Sequence, residues 1–148
     1  MNLEIRPFVE SDADAVIALW ERSGLLRPWN DPRKDIARKL KVQRELFLVG
    51  VAEGAVVACL MAGYDGHRGW INYVGVDPAH RRRGYGRAIV LDAERRLHEI
   101  GCPKVNLQVR RDNPEAVAFY GSLGYAEYYV FDFGKWLEKD GEQPPAKR

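Results

Sequence analysis

Apolar positions switch between two periods along the chain. Residues 3–8 alternate and predict a short strand. Ser11 or Asp12 can cap a helix whose Val16, Ile17 and Trp20 share one face, and Gly24 closes it. A loop of large side chains follows at 25–30. Asp31 and then Pro32 supply an N-cap and a first-turn proline for a second helix, with Ile36 and Leu40 one turn apart. Residues 46–52 and 55–62 predict a hairpin through Glu53–Gly54. Residues 70–76 predict a third strand after the turn at 64–69, ended by Asp77–Pro78.

The second half repeats the scheme. A polar loop at 80–86 opens a long helix with Ile89, Ala93, Leu97 and Ile100 on one face, stopped by Gly101 and Pro103. Residues 104–109 alternate as a strand. Asn113–Pro114 starts another helix, carrying Ala116, Val117, Tyr120 and Leu123, with Gly124 just past its end. Residues 125–136 are aromatic-rich and strand-like, and 140–148, with Pro144–Pro145, reads as a disordered tail. The order β-α-α-β-β-β-α-β-α-β predicts an α+β fold, a mostly antiparallel sheet flanked by helices, in a single domain over residues 1–139.

Composition narrows the partners. With 148 residues, 46% hydrophobic and 30% charged, the chain suits one soluble globular domain. A net charge of +2 is too small for a protein expected to live on nucleic acid. No apolar run approaches the roughly 20 residues that span a bilayer, and the N-terminus lacks a signal-peptide pattern, so no membrane and a cytoplasmic location are expected. Cys59 and Cys102 have no metal-like spacing, and no metal site is expected.

The chemistry concentrates at residues 75–87. They join a strand to a helix N-terminus, where unpaired amides and the positive end of the helix dipole receive phosphate. Gly84 and Gly86 remove side chains from those amides, while Arg81, Arg82, Arg83 and Arg87 add positive charge. No Gly-Lys-Ser/Thr ending is present, which excludes a nucleotide P-loop. Ile89 stands where a dinucleotide fingerprint needs its third glycine.

What remains, Arg81-x-x-Gly84-x-Gly86, resembles the Gln/Arg-x-x-Gly-x-Gly/Ala signature of the GCN5-related N-acetyltransferases, the GNAT superfamily. The run from Asn113 through Ala116, Phe119, Tyr120 and Gly124 to Tyr125 resembles that family's second motif, one helix and one strand downstream. The segments 19–22, 25–32 and 63–69 are similar to the small bacterial YpeA-like acetyltransferases within it. The resemblance implies a three-layer fold whose mixed sheet is splayed between two parallel strands. It also implies acetyl-CoA as co-substrate, without a metal, and direct transfer to an amine in a ternary complex. The acceptor would be a small molecule, a protein N-terminus or a lysine.

Residue by residue, the resemblance assigns the diphosphate to Arg81–Arg82–Arg83–Gly84–Tyr85–Gly86–Arg87. It lays the strand carrying Val74 and Val76 along the pantetheine arm, and puts Asn113 and Phe119 on the cofactor side. Tyr120 would protonate the leaving thiolate. Many relatives carry a glutamate where this chain has Ile71, Asn72 and Tyr73, so the base is expected to be a water relay, with Asp65 or His67 in the preceding turn. Trp29, Asn30 and Asp31 would wall the acceptor side, Asp31 serving equally as a helix cap. Many relatives end in two strands and this chain offers one, so the acceptor cleft is expected to be open or completed by a second subunit. Tyr128, Tyr129, Phe131 and Phe133 fit a homodimer contact as well as they fit a core. The alternative function is a non-catalytic acyl-CoA sensor.

Overall fold

The computed structural model describes residues 2–144. Its elements, in chain order, are β1 (Glu4–Pro7), α1 (Ala13–Arg22), α2 (Pro32–Lys39), β2 (Phe47–Ala52), β3 (Ala55–Tyr64), β4 (Gly69–Val76), α3 (Tyr85–Glu99), β5 (Val105–Leu107) and α4 (Pro114–Ser122). The strands form one sheet in the order β1-β2-β3-β4-β5. The first three pairings are antiparallel and β4–β5 is parallel, so this is the α+β sheet expected from the sequence, including its parallel pair.

Side-chain alternation divides the core between the two faces of the sheet. Leu48, Ala58, Leu60 and Ile71 pack with Ile89, Val90, Ala93 and Leu97 of α3. Phe47, Val49, Cys59 and Met61 pack with Val16, Leu19 and Trp20 of α1 and Ile36 of α2. Cys59 is fully buried, accepts from Trp20 Nε1 at 3.1 Å, and has its thiol pushed up to about 12 by that burial.

Local chemistry explains most boundaries. Glu53 and Gly54 both take positive φ, the two-residue turn that suits a tight hairpin. Asp31 accepts from the amides of Arg33 and Lys34, with Pro32 behind it. Asn113 accepts from Ala116 N in the same way. Asp12 does not cap α1. Its buried carboxylate turns back to Val9 N at 2.9 Å and to Arg6 at 2.8 and 3.0 Å, because a guanidinium across the turn outcompetes the helix amides.

One expected element is absent. Residues 126–144 contain no strand, and the backbone turns at Tyr129, where Val130 N donates to Tyr128 O at 3.1 Å. Lys104 Nζ lies 4.1 Å from the Tyr128 ring, and Gln108 bonds Asp132 at 2.7 Å. Alternation favours an extended backbone, but a ladder needs an adjacent strand at ladder spacing, and only side chains bridge this gap. Of the tail expected at 140–148, residues 145–148 lie outside the described residues. Asp140 is held by Arg38 at 2.5 and 2.9 Å. Among the described residues no helix is long and apolar enough to cross a membrane.

Candidate active site

β4 and β5 pair over three residues only, from Gly69↔Val105 to Ile71↔Leu107, and β4 continues alone to Val76. Beyond that point the edge of β4 has no partner strand, which leaves a slot bounded by backbone donors and acceptors. Against β3 the register jumps from Cys59↔Gly75 to Met61↔Asn72. Two residues, Tyr73 and Val74, therefore oppose the single Leu60: a β-bulge. Tyr73 carries the strain, with φ of 52° in a non-glycine residue. The bulge sends neighbouring side chains to opposite faces, Val74 into the α3-side core and Tyr73 into the α1/α2-side core.

The unpartnered edge of β4 leads into the start of α3. Gly84 is the N-cap in the left-handed region, φ 79°, with no side chain to occupy the first-turn amides. Gly86 is a close approach: a Cβ there would lie 3.3 Å from Phe119 Cζ and 3.5 Å from Val76 Cγ2. It therefore draws the first turn of α3, the end of β4 and α4 together. Arg81, Arg82, Arg83 and Arg87 are all exposed, and none forms an ion pair among the described residues. The ring of Tyr85 is buried against Ala52 and Val57, so only its amide can serve this loop. Asn113 Oδ1 is committed to capping α4.

Phe119 and Tyr120 line the α3 side of the slot and belong to the same apolar cluster as Val74, Val76 and Leu107. Tyr120 stands edge-on to Phe119 at 5.0 Å and to Tyr125 at 5.8 Å. Burial pushes its hydroxyl up to about 12, and that hydroxyl has no hydrogen-bond partner among the described residues.

The opposite side of the slot carries a constellation missed by sequence reasoning. Tyr73 stacks on Trp20 with ring centroids 4.0 Å apart and donates to Asp35 Oδ2 at 2.6 Å. Burial, and then the Asp35 carboxylate, drive the Tyr73 hydroxyl well above the usual phenol range, and the Asn30 side chain also reaches it. The only signal in the sequence was Tyr73 standing near the place where relatives carry glutamate. Asp35 gave none beyond its placement one turn after the cap.

The α1–α2 loop seats Leu25 and Ser23 against Gly75 and Val76, with Ser23 Oγ donating to Val76 O at 3.3 Å. Trp29 lies under the Arg110 guanidinium, 5.8 Å away, at the end of β5. The chain's own C-terminal segment crosses this loop: Arg38 holds Asp140 and stands 3.5 Å from Asp35, and Gly141 lies against the Pro28 carbonyl. The C-terminal segment thus lies against the α1–α2 loop of its own chain.

Asp65 and His67 are not brought to this centre. They occupy the turn before β4, and His67 stands six residues, about 20 Å of strand, from Tyr73. Asp65 Oδ1 is saturated by the amides of His67 and Arg68, both at 2.8 Å. Asp65 does line a concavity of about 300 Å³ beside Lys39, Gln43, Trp70 and Asn72. A larger one, about 420 Å³, lies between Arg6, Arg22 and Val56, away from the slot.

This geometry suits a thioester of coenzyme A: an anion-receiving helix start, an unpaired strand edge for an amide-bearing arm, and a buried hydroxyl beyond it. Comparisons with known proteins agree. Acetyltransferase YE1169 of Yersinia enterocolitica is 48% identical over 140 residues, 95% of this chain and 99% of that one. The crystal structure of Ard1 from Thermoplasma volcanium superposes with TM-score 0.76 at 27% identity, covering 87% of this chain and 86% of that chain. The structure of AAC(6')-Iy in complex with the bisubstrate analog CoA-S-monomethyl-acetylneamine matches in fold, with TM-score 0.76 at 16% identity, over 93% of this chain and 100% of that chain. A family model described as the acetyltransferase (GNAT) family matches residues 9–125. The chain therefore belongs to the acetyltransferase (GNAT) family.

Proposed function

We propose that the chain transfers the acetyl group of acetyl-CoA to a primary amine by direct attack, with both substrates bound. The observation that carries this reading is the continuity of the unpaired β4 edge with the uncapped start of α3. An anionic diphosphate on the amides of residues 84–87, with Arg81, Arg82, Arg83 and Arg87 around it, would run its pantetheine arm along Val74 and Val76. The thioester would then lie at the Tyr73–Val74 bulge, where a peptide freed from the β3 ladder can donate to the developing oxyanion. The CoA moiety of the analog bound by AAC(6')-Iy supports the choice of donor.

The amine enters from the α1/α2 side, past Trp29 and Asn30. It must lose a proton before it can attack, and Asp35 is the carboxylate within reach. Tyr73 donates its own proton to Asp35, which leaves its oxygen lone pairs free to accept one from the amine. The amine proton passes to the Tyr73 oxygen as the Tyr73 proton moves to Asp35. The nitrogen lone pair forms the C–N bond, the C–S bond breaks, and the electron pair leaves on sulfur. Tyr120 steadies the departing sulfur with a hydrogen bond; the second proton of the acylated nitrogen goes to water, the sulfur takes a proton from water, and Asp35 returns its own proton to water.

The test is a calorimetric titration with acetyl-CoA, CoA, NAD and ATP on wild type and Gly84→Glu, followed by thiol release across a panel of amines. Binding of the two CoA species alone, lost with the glutamate, and thiol release that depends on an amine are expected. Absence of CoA binding would remove the reading.

A further inference from the structure

Helix α2 reaches the sheet through two side chains one turn apart on the same helix face. Asp35 accepts from Tyr73 on β4, and Lys39 donates its ammonium to Ala62 O on β3. The helix then stops at Leu40. Past that stop the same face of the sheet stays uncovered, leaving the concavity of about 300 Å³ floored by Met61 and Gly63 and walled by Lys39, Gln43, Trp70 and Asn72. It starts one residue from Tyr73 on β4 and runs away from it, towards the turn at 64–69.

The groups around this hollow call for an anion. Lys39 is half-buried, and burial lowers its ammonium below the usual lysine range. No carboxylate stands within ion-pairing distance of it among the described residues. A cation taken out of water without a counter-charge is costly, and an anion in the hollow would offset that cost. The exposed Asn72 side chain makes no hydrogen bond among the described residues, and the Trp70 indole is 39% exposed. Asp65 stands at the far rim with its Oδ1 spent on the turn amides.

The hollow is also held open. Gln43, at a positive φ of 49°, accepts from Tyr64 N at 2.8 Å and donates to Tyr64 O at 3.1 Å, so its side chain is fixed as a wall. A Cβ at Gly63 would lie 3.5 Å from Gln43 Oε1 and 3.7 Å from Lys39 Nζ, so a larger side chain there would fill the floor.

We propose that this hollow binds a carboxylate of the acetyl acceptor, with Lys39 pairing with it, Asn72 donating to it and Trp70 packing on the apolar body. The acceptor is then a small amine whose carboxylate lies one helical turn, about 6 Å, from its nitrogen. The volume, at the low end for ligand pockets, suits a small molecule rather than a protein chain. This inference rests on the reading that the amine attacks beside Tyr73 and Asp35.

The probe is δ-aminovalerate, with pentylamine as its match lacking the carboxylate. Titrated into the isotope-labelled full chain and followed by NMR, δ-aminovalerate should shift the Trp70 indole, the Asn72 side-chain amide and the Gly63 amide, and pentylamine should not. In thiol release with acetyl-CoA, kcat/KM should favour δ-aminovalerate by at least about tenfold, the low end for hydrogen bonds to charged groups. Lys39→Met should abolish both differences. Gly63→Val, which keeps Lys39 and fills the floor, should do the same and serves if Lys39→Met fails to fold. Shifts that are absent, that pentylamine reproduces or that survive these variants would overturn the subsite. Equal turnover of the two amines would overturn it too and leave acetyl transfer standing. Carboxylate-dependent shifts with no thiol release from any amine would keep the carboxylate site and remove the proposed reaction.

Discussion

The hydroxyl of Tyr73 donates to Asp35 across 2.6 Å, joining the strained residue of the β4 bulge to the first turn of α2. A tyrosine in the left-handed region inside a strand costs about 1–3 kcal/mol, and such strain persists where surrounding contacts enforce it. Trp20 on one side and Asp35 on the other do so here. In the proposed reaction the pair serves as the base.

Asp35→Asn keeps the size of the side chain and removes its capacity to take a proton. It should lower kcat/KM for the amine by about 100-fold, the low end of general-base effects, and leave acetyl-CoA affinity unchanged by calorimetry. If the two residues act as one relay, Tyr73→Phe should cost a similar factor, and the double variant little more than either single. Additive losses would mean that they act separately.

Tyr120 makes a contrasting case. With its hydroxyl near 12 it stays protonated at neutral pH, yet it holds its proton more tightly than a thiol with a pKa of about 8.5. It therefore helps chiefly by a hydrogen bond to the departing sulfur. Tyr120→Phe should lower turnover by at least about tenfold and leave acetyl-CoA affinity unchanged. An undiminished kcat would take Tyr120 out of the mechanism.

Much of this was written in local chemistry. Glycines at 24, 54, 84, 101 and 124 stand just past helix ends or in turns, and all adopt positive φ. The Asp31 and Asn113 caps are visible as short polar residues before proline. The glycine-bearing loop before α3 was legible for the same reason: a strand end, two glycines and a helix start are contiguous in sequence. The bulge was not, because it is a property of register between β3 and β4, and neither strand alone shows which residues face each other. Asp35 was hidden for a related cause, since its meaning depends on where α2 lies against β4. The aromatic segment at 125–136 showed its alternation but not whether a strand lies beside it. Asp65 and His67 are close to β4 in sequence but stand at the opposite end of it from the Tyr73 bulge.

Three buried or half-buried phenols make the fold sensitive to alkali. Burial raises Tyr73, Tyr120 and Tyr125 above 10.0, and Glu94, which accepts from Tyr125 at 2.7 Å, adds to the effect on Tyr125. A raised pKa means that the folded chain holds its proton after the unfolded chain has released it. The stabilisation is complete below about pH 10 and is lost as pH climbs above it. Urea midpoints should therefore hold up to about pH 10 and fall steeply above it. Tyr125→Phe should be less stable at the lower pH, having lost its bond to Glu94, and should show a shallower decline. A decline as steep as that of the wild type would show that Tyr125 is not among the groups responsible.

Asp31 was open to two readings, a helix cap or an anionic attractor for a cationic acceptor. Its Oδ1 accepts from both Arg33 N at 3.0 Å and Lys34 N at 3.1 Å, ahead of a proline that needs no partner. That is the work of a cap, and asparagine does it nearly as well as aspartate. Asp31→Ala should therefore lower stability by about 1 kcal/mol in urea unfolding. Asp31→Asn should leave both the unfolding midpoint and the acceptor KM close to wild type, because Asp35 rather than Asp31 bonds Tyr73 at the slot. A raised KM for a cationic amine in Asp31→Asn, at unchanged stability, would show that the second carboxylate oxygen of Asp31 faces the acceptor. The acidic character of that wall would then be shared between the cap and the relay.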